Sequence, residues 1–242
     1  MSRAFVRAEW RNLVMLNYAV DPAVLRPFVP RGTELDAWQG QYFVSLVGFL
    51  FANTRVLGMP IPWHRTFEEV NLRFYVRREI GGEQRRAVTF IRELVPRAAI
   101  AFTARVSYNE PYRALPMRHR FGAMRPDGIP ETVQYEWRGS VEWTSLTATP
   151  GSEGRLPTTG SAEEFITHHY WGYTPQRDGS TMEYRVDHPA WRVWPVPEPR
   201  LNGDLAAVYG PAMSRILAGS PASAFLADGS AVTVFFPTKL RG

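Results

Sequence analysis

The run from Gln41 to Val56, QYFVSLVGFLFANTRV, constrains the fold most, because both of its alternating faces are apolar over most of its length. A strand on an open antiparallel sheet normally shows one apolar and one wetted face, so a strand apolar on both must be covered on both. Trp10 to Val20 repeats the pattern, with Leu13, Met15, Asn17 and Ala19 on one face and Val14, Leu16 and Tyr18 on the other. Central strands of this kind predict a sheet that closes, or nearly closes, on itself. The longest apolar run, Tyr42 to Ala52, is too short to span a bilayer, so no membrane association is expected.

A third stretch, Phe67 to Arg78, FEEVNLRFYVRR, alternates differently. Val70, Leu72, Phe74 and Val76 occupy one face, and Glu69, Asn71, Arg73 and Tyr75 the other. Side chains two apart on a strand lie roughly 7 Å from each other, so an acid, an amide, a guanidinium and a phenol stand in a row that one small polar molecule could bridge. Facing outward, the row is an ordinary solvated surface, and Glu69 with Arg73 is a structural ion pair. Facing into a closed sheet, it lines a pocket.

The rest of the chain reads as short strands, tight turns and brief helices. Asp21 caps a short helix that starts at Pro22. Gly48 allows a bend inside the Gln41 to Val56 strand. Gly81-Gly82 turns a hairpin into a return strand, Arg86 to Val95, which alternates Val88, Phe90, Arg92 and Leu94 with Thr89, Ile91 and Glu93. Pro96 opens an Ala-rich helix over Arg97 to Tyr108. Strands follow at Arg118 to Met124, Thr132 to Arg138 and Val141 to Leu146, then a Gly/Pro/Thr/Ser loop over Thr147 to Gly160. Ser161 and Glu164 form a capping box for a helix from Ala162 to Trp171. Asp178-Gly179 turns a hairpin. A helix from Asp204 to Leu217 is interrupted at Pro211, and a final hairpin, Ser223 to Leu226 with Ala231 to Phe236, turns around Asp228-Gly229. The expectation is one domain of 242 residues, mainly β with a few short helices (α+β).

Composition narrows the function. The net charge of +5 is carried by arginines interleaved with acids, as in Arg77, Arg78, Glu79, and Lys239 is the only lysine. Nucleic-acid binders cluster their basic residues, so no nucleic-acid partner is expected, and the balance points to a small anionic ligand. The absence of cysteine removes thiol nucleophiles, disulfides and Cys-ligated zinc, and fits a cytoplasmic protein. The five histidines, including the adjacent His168 and His169, match no familiar metal-ligand spacing, and no phosphate loop, dinucleotide fingerprint or nucleophile elbow occurs. No metal and no cofactor are expected, and homo-oligomerisation is left open. What remains as candidate chemistry is the strand row together with Tyr112, Arg113 and His188, the last at a strand end before Pro189.

Leu35-Asp36 with Gly40, Phe67 to Val76 as FEEVNLRFYV, Ala104-Arg105 followed by Pro111-Tyr112, and His188-Pro189-Ala190-Trp191 together resemble the YqjF-like family of uncharacterised conserved proteins. The resemblance covers nearly the whole chain. That family is similar in fold to acetoacetate decarboxylase, a β-barrel or β-cone enzyme that forms a Schiff base between a lysine and a β-keto acid. The resemblance implies an antiparallel β-barrel of that type and places the decarboxylase's active-site glutamate on Glu69. The decarboxylase's Gly-Arg-Glu helix and following Pro-Lys-Lys resemble Ala104-Arg105-Val106 and Pro111-Tyr112-Arg113, where both lysines are missing. A Schiff base needs a primary amine, so that chemistry is not expected here.

The reading that results is a barrel cavity for a small organic acid or carbonyl compound. Glu69 and Tyr112 are the candidate catalytic pair for acid/base or enolate chemistry, while Asn71, Arg73, Tyr75, Arg113 and His188 are candidate binding groups. The alternative is a non-catalytic ligand-binding or sensing protein.

Overall fold

The computed structural model describes residues 3–60, 65–96 and 111–240. The strands are β1 (Ala4–Val20), β2 (Glu34–Leu35), β3 (Tyr42–Val56), β4 (Met59–Pro60), β5 (Phe67–Ile80), β6 (Glu83–Val95), β7 (Tyr112–Ala114) and β8 (Met117–Phe121). They continue as β9 (Val133–Trp137), β10 (Thr144–Ala148), β11 (Trp171–Pro175), β12 (Thr181–Asp187), β13 (Val193–Pro195), β14 (Arg200–Asn202), β15 (Ser223–Phe235) and β16 (Thr238–Lys239). Among the described residues three α-helices, α1 (Pro22–Leu25), α2 (Ala162–Thr167) and α3 (Ala206–Leu217), and a 3-10 turn at Arg26–Phe28 join them. Among the described residues no helix is long and apolar enough to cross a membrane.

The large sheet closes into a ring. β1 pairs antiparallel with β15 and β3, β3 with β5, and β5 with β6. β6 takes β11 in parallel, β11 pairs with β12, and β12 returns to β15 where Val186 lies opposite Val234 and Asp187 opposite Thr233. A second sheet, in the order β14, β10, β9, β8, lies outside this ring. Tyr135, Trp137 and Leu146 from it share one core cluster with Val14, Leu16, Leu46, Leu72 and Phe74 from the outer faces of β1, β3 and β5. The opposite faces of the same strands turn inward, where Leu13, Met15, Val47 and Phe49 pack with Phe165, Ile166 and Trp191. The two apolar faces read in β1 and β3 are thus the ring interior and the seat of the second sheet.

Gly48 has a packing cause rather than a bending one. It faces the second sheet, and a Cβ there would lie 2.9 Å from Tyr135 Cδ2 and 3.1 Å from Leu146 Cδ2. At the β5–β6 turn Ile80 pairs with Glu83, and Gly81 and Gly82 both take positive φ, 57° and 82°, as a two-residue hairpin twisted to match its strands requires.

Several local expectations change. β15 is one continuous strand paired along β1, not a hairpin at Asp228-Gly229. Gly229 takes φ 81° opposite Arg11, and any Cβ there would overlap the Trp10 carbonyl, so this glycine serves a close backbone approach within a strand. Val141 is 92% exposed and the strand starts only at Thr144. The helix capped by Ser161 ends at Thr167, and Trp171 already belongs to a strand. α3 is interrupted at Gly210, immediately before Pro211. The helix expected over Arg97 to Tyr108 lies outside the described residues.

Candidate functional site

The ring encloses a cavity of about 260 Å³. Glu69, Asn71 and Arg73 of β5 all line it, and they are 3%, 2% and 8% exposed. The polar row therefore faces inward, because β5 gives its apolar alternate, Val70, Leu72, Phe74 and Val76, to the core under the second sheet. Tyr112 of β7 and His188 after β12 also reach the cavity.

The acidic end is built by three strands. Glu69 accepts hydrogen bonds from Asn71 Nδ2 at Oε1 (3.1 Å) and from the Tyr112 hydroxyl at Oε2 (3.2 Å). Glu93 of β6 lines the same region, opposite Asn71 on one side and beside Tyr112 on the other. Its presence breaks the sequence alternation that groups Val88 and Phe90 with Arg92. An irregularity in the β5–β6 pairing sets Leu72 against Arg92 but Arg73 against Phe90, so β6 carries one extra residue there and changes phase. Val88, Phe90 and Glu93 consequently face the cavity together.

The basic end is Arg73. Its Nη2 donates to the Ile166 carbonyl at 3.2 Å and lies 4.0 Å from Met15 Sδ. Its Nε is buried without a hydrogen-bond partner, and among the described residues no carboxylate lies within ion-pair distance of it. The ion pair considered between Glu69 and Arg73 does not form, since four strand residues separate their Cα atoms by roughly 13 Å and Asn71 takes the carboxylate instead.

α2 delivers the remaining groups. Ser161 caps it by accepting from Glu164 N (3.2 Å), Glu164 Oε2 accepts from Gly160 N (2.6 Å), and Trp38 Nε1 donates to the Gly160 carbonyl (2.9 Å). Ile166 thereby presents a C-terminal carbonyl with no helical partner, the one Arg73 uses. His169, just past the helix, lines the cavity with its ring 4.7 Å from that of Tyr75 and close to the Ile166 backbone. Burial, and then the positive charges of Arg86 and Arg73, hold its pKa well below the usual histidine value, so the imidazole is neutral at pH 7. Burial also lowers His188, which stacks on Trp191 (4.2 Å between ring centres) and whose Nδ1 donates to the Pro189 carbonyl at 2.9 Å.

Two candidates stand elsewhere. Tyr75 is on the inward face but its hydroxyl is committed. It donates to Ser45 Oγ (2.7 Å), which donates to Asn17 Oδ1 (2.7 Å), while Asn17 Nδ2 donates to Ser223 Oγ (3.1 Å). This chain of hydrogen bonds knits β5, β3, β1 and β15 together, and Tyr75 does not line the cavity. Arg113 follows Tyr112 on a strand and so points the opposite way, where its Nη1 donates to the Ala207 carbonyl of α3 (3.0 Å). Lys239 is exposed on β16 and bonds Asp178 Oδ2 at 2.9 Å. Ala104 and Arg105 lie outside the described residues. Sequence reasoning missed Glu93, whose position depends on the β6 irregularity, and His169, whose only signal was its pairing with His168 after a capped helix.

The ring with its outer sheet is the fold of acetoacetate decarboxylase-like enzymes. Superposition on the acetoacetate decarboxylase of Legionella pneumophila subsp. pneumophila str. Philadelphia 1 covers 98% of this chain and 87% of that one, with a TM-score of 0.66 at 15% identity. The enduracididine biosynthesis enzyme MppR, solved in complex with pyruvate, is covered to 91% by the whole of this chain, with a TM-score of 0.68 at 13% identity. In sequence, 72 residues are 39% identical to the uncharacterized protein YqjF of Bacillus subtilis (strain 168), a match spanning 29% of this chain and only 30% of that protein. Residues 7–231 match the DUF2071 family, described as "Uncharacterized conserved protein", and the chain belongs to that family.

Proposed function

We propose that this protein binds a small organic acid bearing a carbonyl group, an oxo acid, inside the ring, and performs proton-transfer chemistry on it without a covalent amine. The observation that carries the reading is Arg73, a buried guanidinium facing the cavity whose Nε has no hydrogen-bond partner and which has no carboxylate at ion-pair distance among the described residues. A buried charge is costly until it is paired, and a ligand carboxylate supplies that pair through charge-assisted hydrogen bonds. The cavity is small against the ~300–1,000 Å³ of typical ligand pockets, which favours a compact molecule. With the carboxylate on Arg73, the carbonyl end extends past Asn71 toward Glu69 and Tyr112. Glu69 then takes a proton from the carbon next to the carbonyl, the electron pair moves onto the carbonyl oxygen, and Tyr112 or Asn71 donates to that oxygen. MppR, of the same fold, was solved with pyruvate, which supports an oxo acid as the ligand class.

A second reading has its own support. The single lysine, Lys239, is exposed on β16 and paired with Asp178, so the amine chemistry of the decarboxylase has no counterpart, and the ring serves as a cytoplasmic binding or sensing module. A thermal-shift screen of oxo acids followed by NMR of solvent-deuterium exchange at the carbon beside the carbonyl separates the two. At a hundred times Kd a ligand adds about 2.7 kcal/mol, which is roughly 5–10 °C for a chain of this size. In the catalytic reading Glu69→Gln keeps the shift within a few degrees and abolishes exchange. In the binding reading the wild-type protein shows the shift and no exchange. If no oxo acid raises the melting temperature, both readings fall.

A further inference from the structure

The lining of the cavity is divided by chemistry, a polar cluster against an extensive apolar surface, and the division specifies what the far end of the ligand must be. Its charged and amide groups, Glu69, Asn71, Arg73, Glu93 and His169, are all buried, on β5, on β6 and just past α2. The lining contributed by β1, β3, β12 and β15 is mostly apolar, with Trp10, Phe51, Tyr184 and Val234 among its members, and β3 sets Val47 and Phe49 directly beside Asn71 and Glu69. Leu13, Val47 and Phe49 are buried beside the polar groups, and Trp10, Phe51 and Val234 are half-buried, so the apolar lining runs from the depth of the cavity toward solvent. The aromatic rings there are already set at one another's edges. Trp10 meets Phe49 at 5.4 Å and 66°, Phe51 at 6.0 Å and 86°, and Trp191 at 6.1 Å and 63°. Phe90 lies on β6 opposite Arg73 itself, so apolar surface begins immediately beside the guanidinium.

An oxo acid as small as pyruvate would satisfy Arg73 and leave this wall uncovered. We infer that the ligand is amphipathic, a carbonyl-bearing carboxylate whose other end is an aromatic ring or a branched alkyl group seated against Trp10, Phe51 and Phe90. This rests on the oxo-acid reading above and adds the identity of the tail. Rings of this kind favour edge-on and offset contact with an aromatic guest, and each methylene taken from water into such a wall strengthens binding by about 4-fold.

The test is a calorimetric titration of the intact protein with a graded series of 2-oxo acids: pyruvate, 2-oxobutanoate, 4-methyl-2-oxopentanoate and phenylpyruvate. The expected result is affinity rising about 4-fold per added methylene, with phenylpyruvate at least 50-fold tighter than pyruvate and a heat-capacity change that grows more negative along the series. If pyruvate binds and the longer acids bind equally or less well, the inference fails while the oxo-acid reading stands. If no member binds, the oxo-acid reading fails and takes the inference with it. 4-Methylpentanoate and 3-phenylpropanoate, which keep the tail without the carbonyl, complete the series. Binding as tight as that of the matching oxo acid would overturn the carbonyl part of the assignment and leave only a carboxylate with an apolar tail.

Discussion

Replacing Arg73 by methionine separates a group held for function from one held for stability. Methionine keeps an unbranched apolar stem about as long as arginine's aliphatic part and removes the guanidinium with its charge. Keeping a buried ion away from water costs several kcal/mol even after relaxation; the hydrogen bond to the Ile166 carbonyl (3.2 Å) returns about 1.5–3 kcal/mol, and the long contacts with Met15 Sδ (4.0 Å) and the Tyr75 ring (5.8 Å to its centre) add little. Because no carboxylate offsets the rest among the described residues, R73M without ligand should be more stable than the wild type by roughly 1–4 kcal/mol, the range seen when buried charges give way to apolar groups. For a chain of this size that is roughly 2–16 °C in melting temperature. The same variant should bind an oxo acid about 30- to 4,000-fold more weakly, since losing one partner of a buried charge pair costs about 2–5 kcal/mol. Urea unfolding and calorimetric titration on the same preparations read both quantities. A variant that melts lower than the wild type and binds oxo acids equally well would refute the reasoning, and would make Arg73 a brace for the end of α2.

Gly48→Ala forces a methyl group to within 2.9 Å of the Tyr135 ring. It should cost about 1–3 kcal/mol in urea unfolding without weakening ligand binding, because Gly48 faces the second sheet and not the cavity. His169 and His188 are both held neutral by burial, so below about pH 6.5 the unfolded chain binds protons that the folded chain refuses. Their contribution is complete above that pH and is lost as pH falls, by up to about 1.4 kcal/mol per unit for each histidine. Urea midpoints at pH 7.5 and 5.0 should show this loss, and His169→Gln should reduce the difference; an unchanged difference would remove His169 as a source.

The parts of the fold set by local pattern were readable in the sequence. The two-faced strands β1 and β3 announced a sheet covered on both sides, Gly81-Gly82 gave its hairpin, and Asp21 and Ser161 cap their helices as expected. The row Glu69, Asn71, Arg73 was legible as a set because strand alternation fixes which side chains travel together. Which way the set faces was not, since that depends on the second sheet claiming Val70, Leu72 and Phe74. Glu93 was hidden by one extra residue in β6, which shifts the period without any glycine or proline to mark it. Tyr75 shows the converse limit: alternation put it on the right face, but Ser45, thirty residues away, occupies its hydroxyl. Arg113 could have been removed by alternation alone, as the neighbour of an inward-facing Tyr112 on the same strand. Gly229 looked like a turn because Asp-Gly is a turn signature, whereas its cause is the Trp10 carbonyl across the sheet.

The most direct measurement is a crystal structure of the protein soaked with phenylpyruvate. The carboxylate should lie about 2.7–2.9 Å from the Arg73 guanidinium, the carbonyl oxygen should point to Asn71 or Tyr112, and the ring should rest against Trp10 and Phe90. Density for the acid on the outer surface, or within the ring but with its carboxylate away from Arg73, would contradict it.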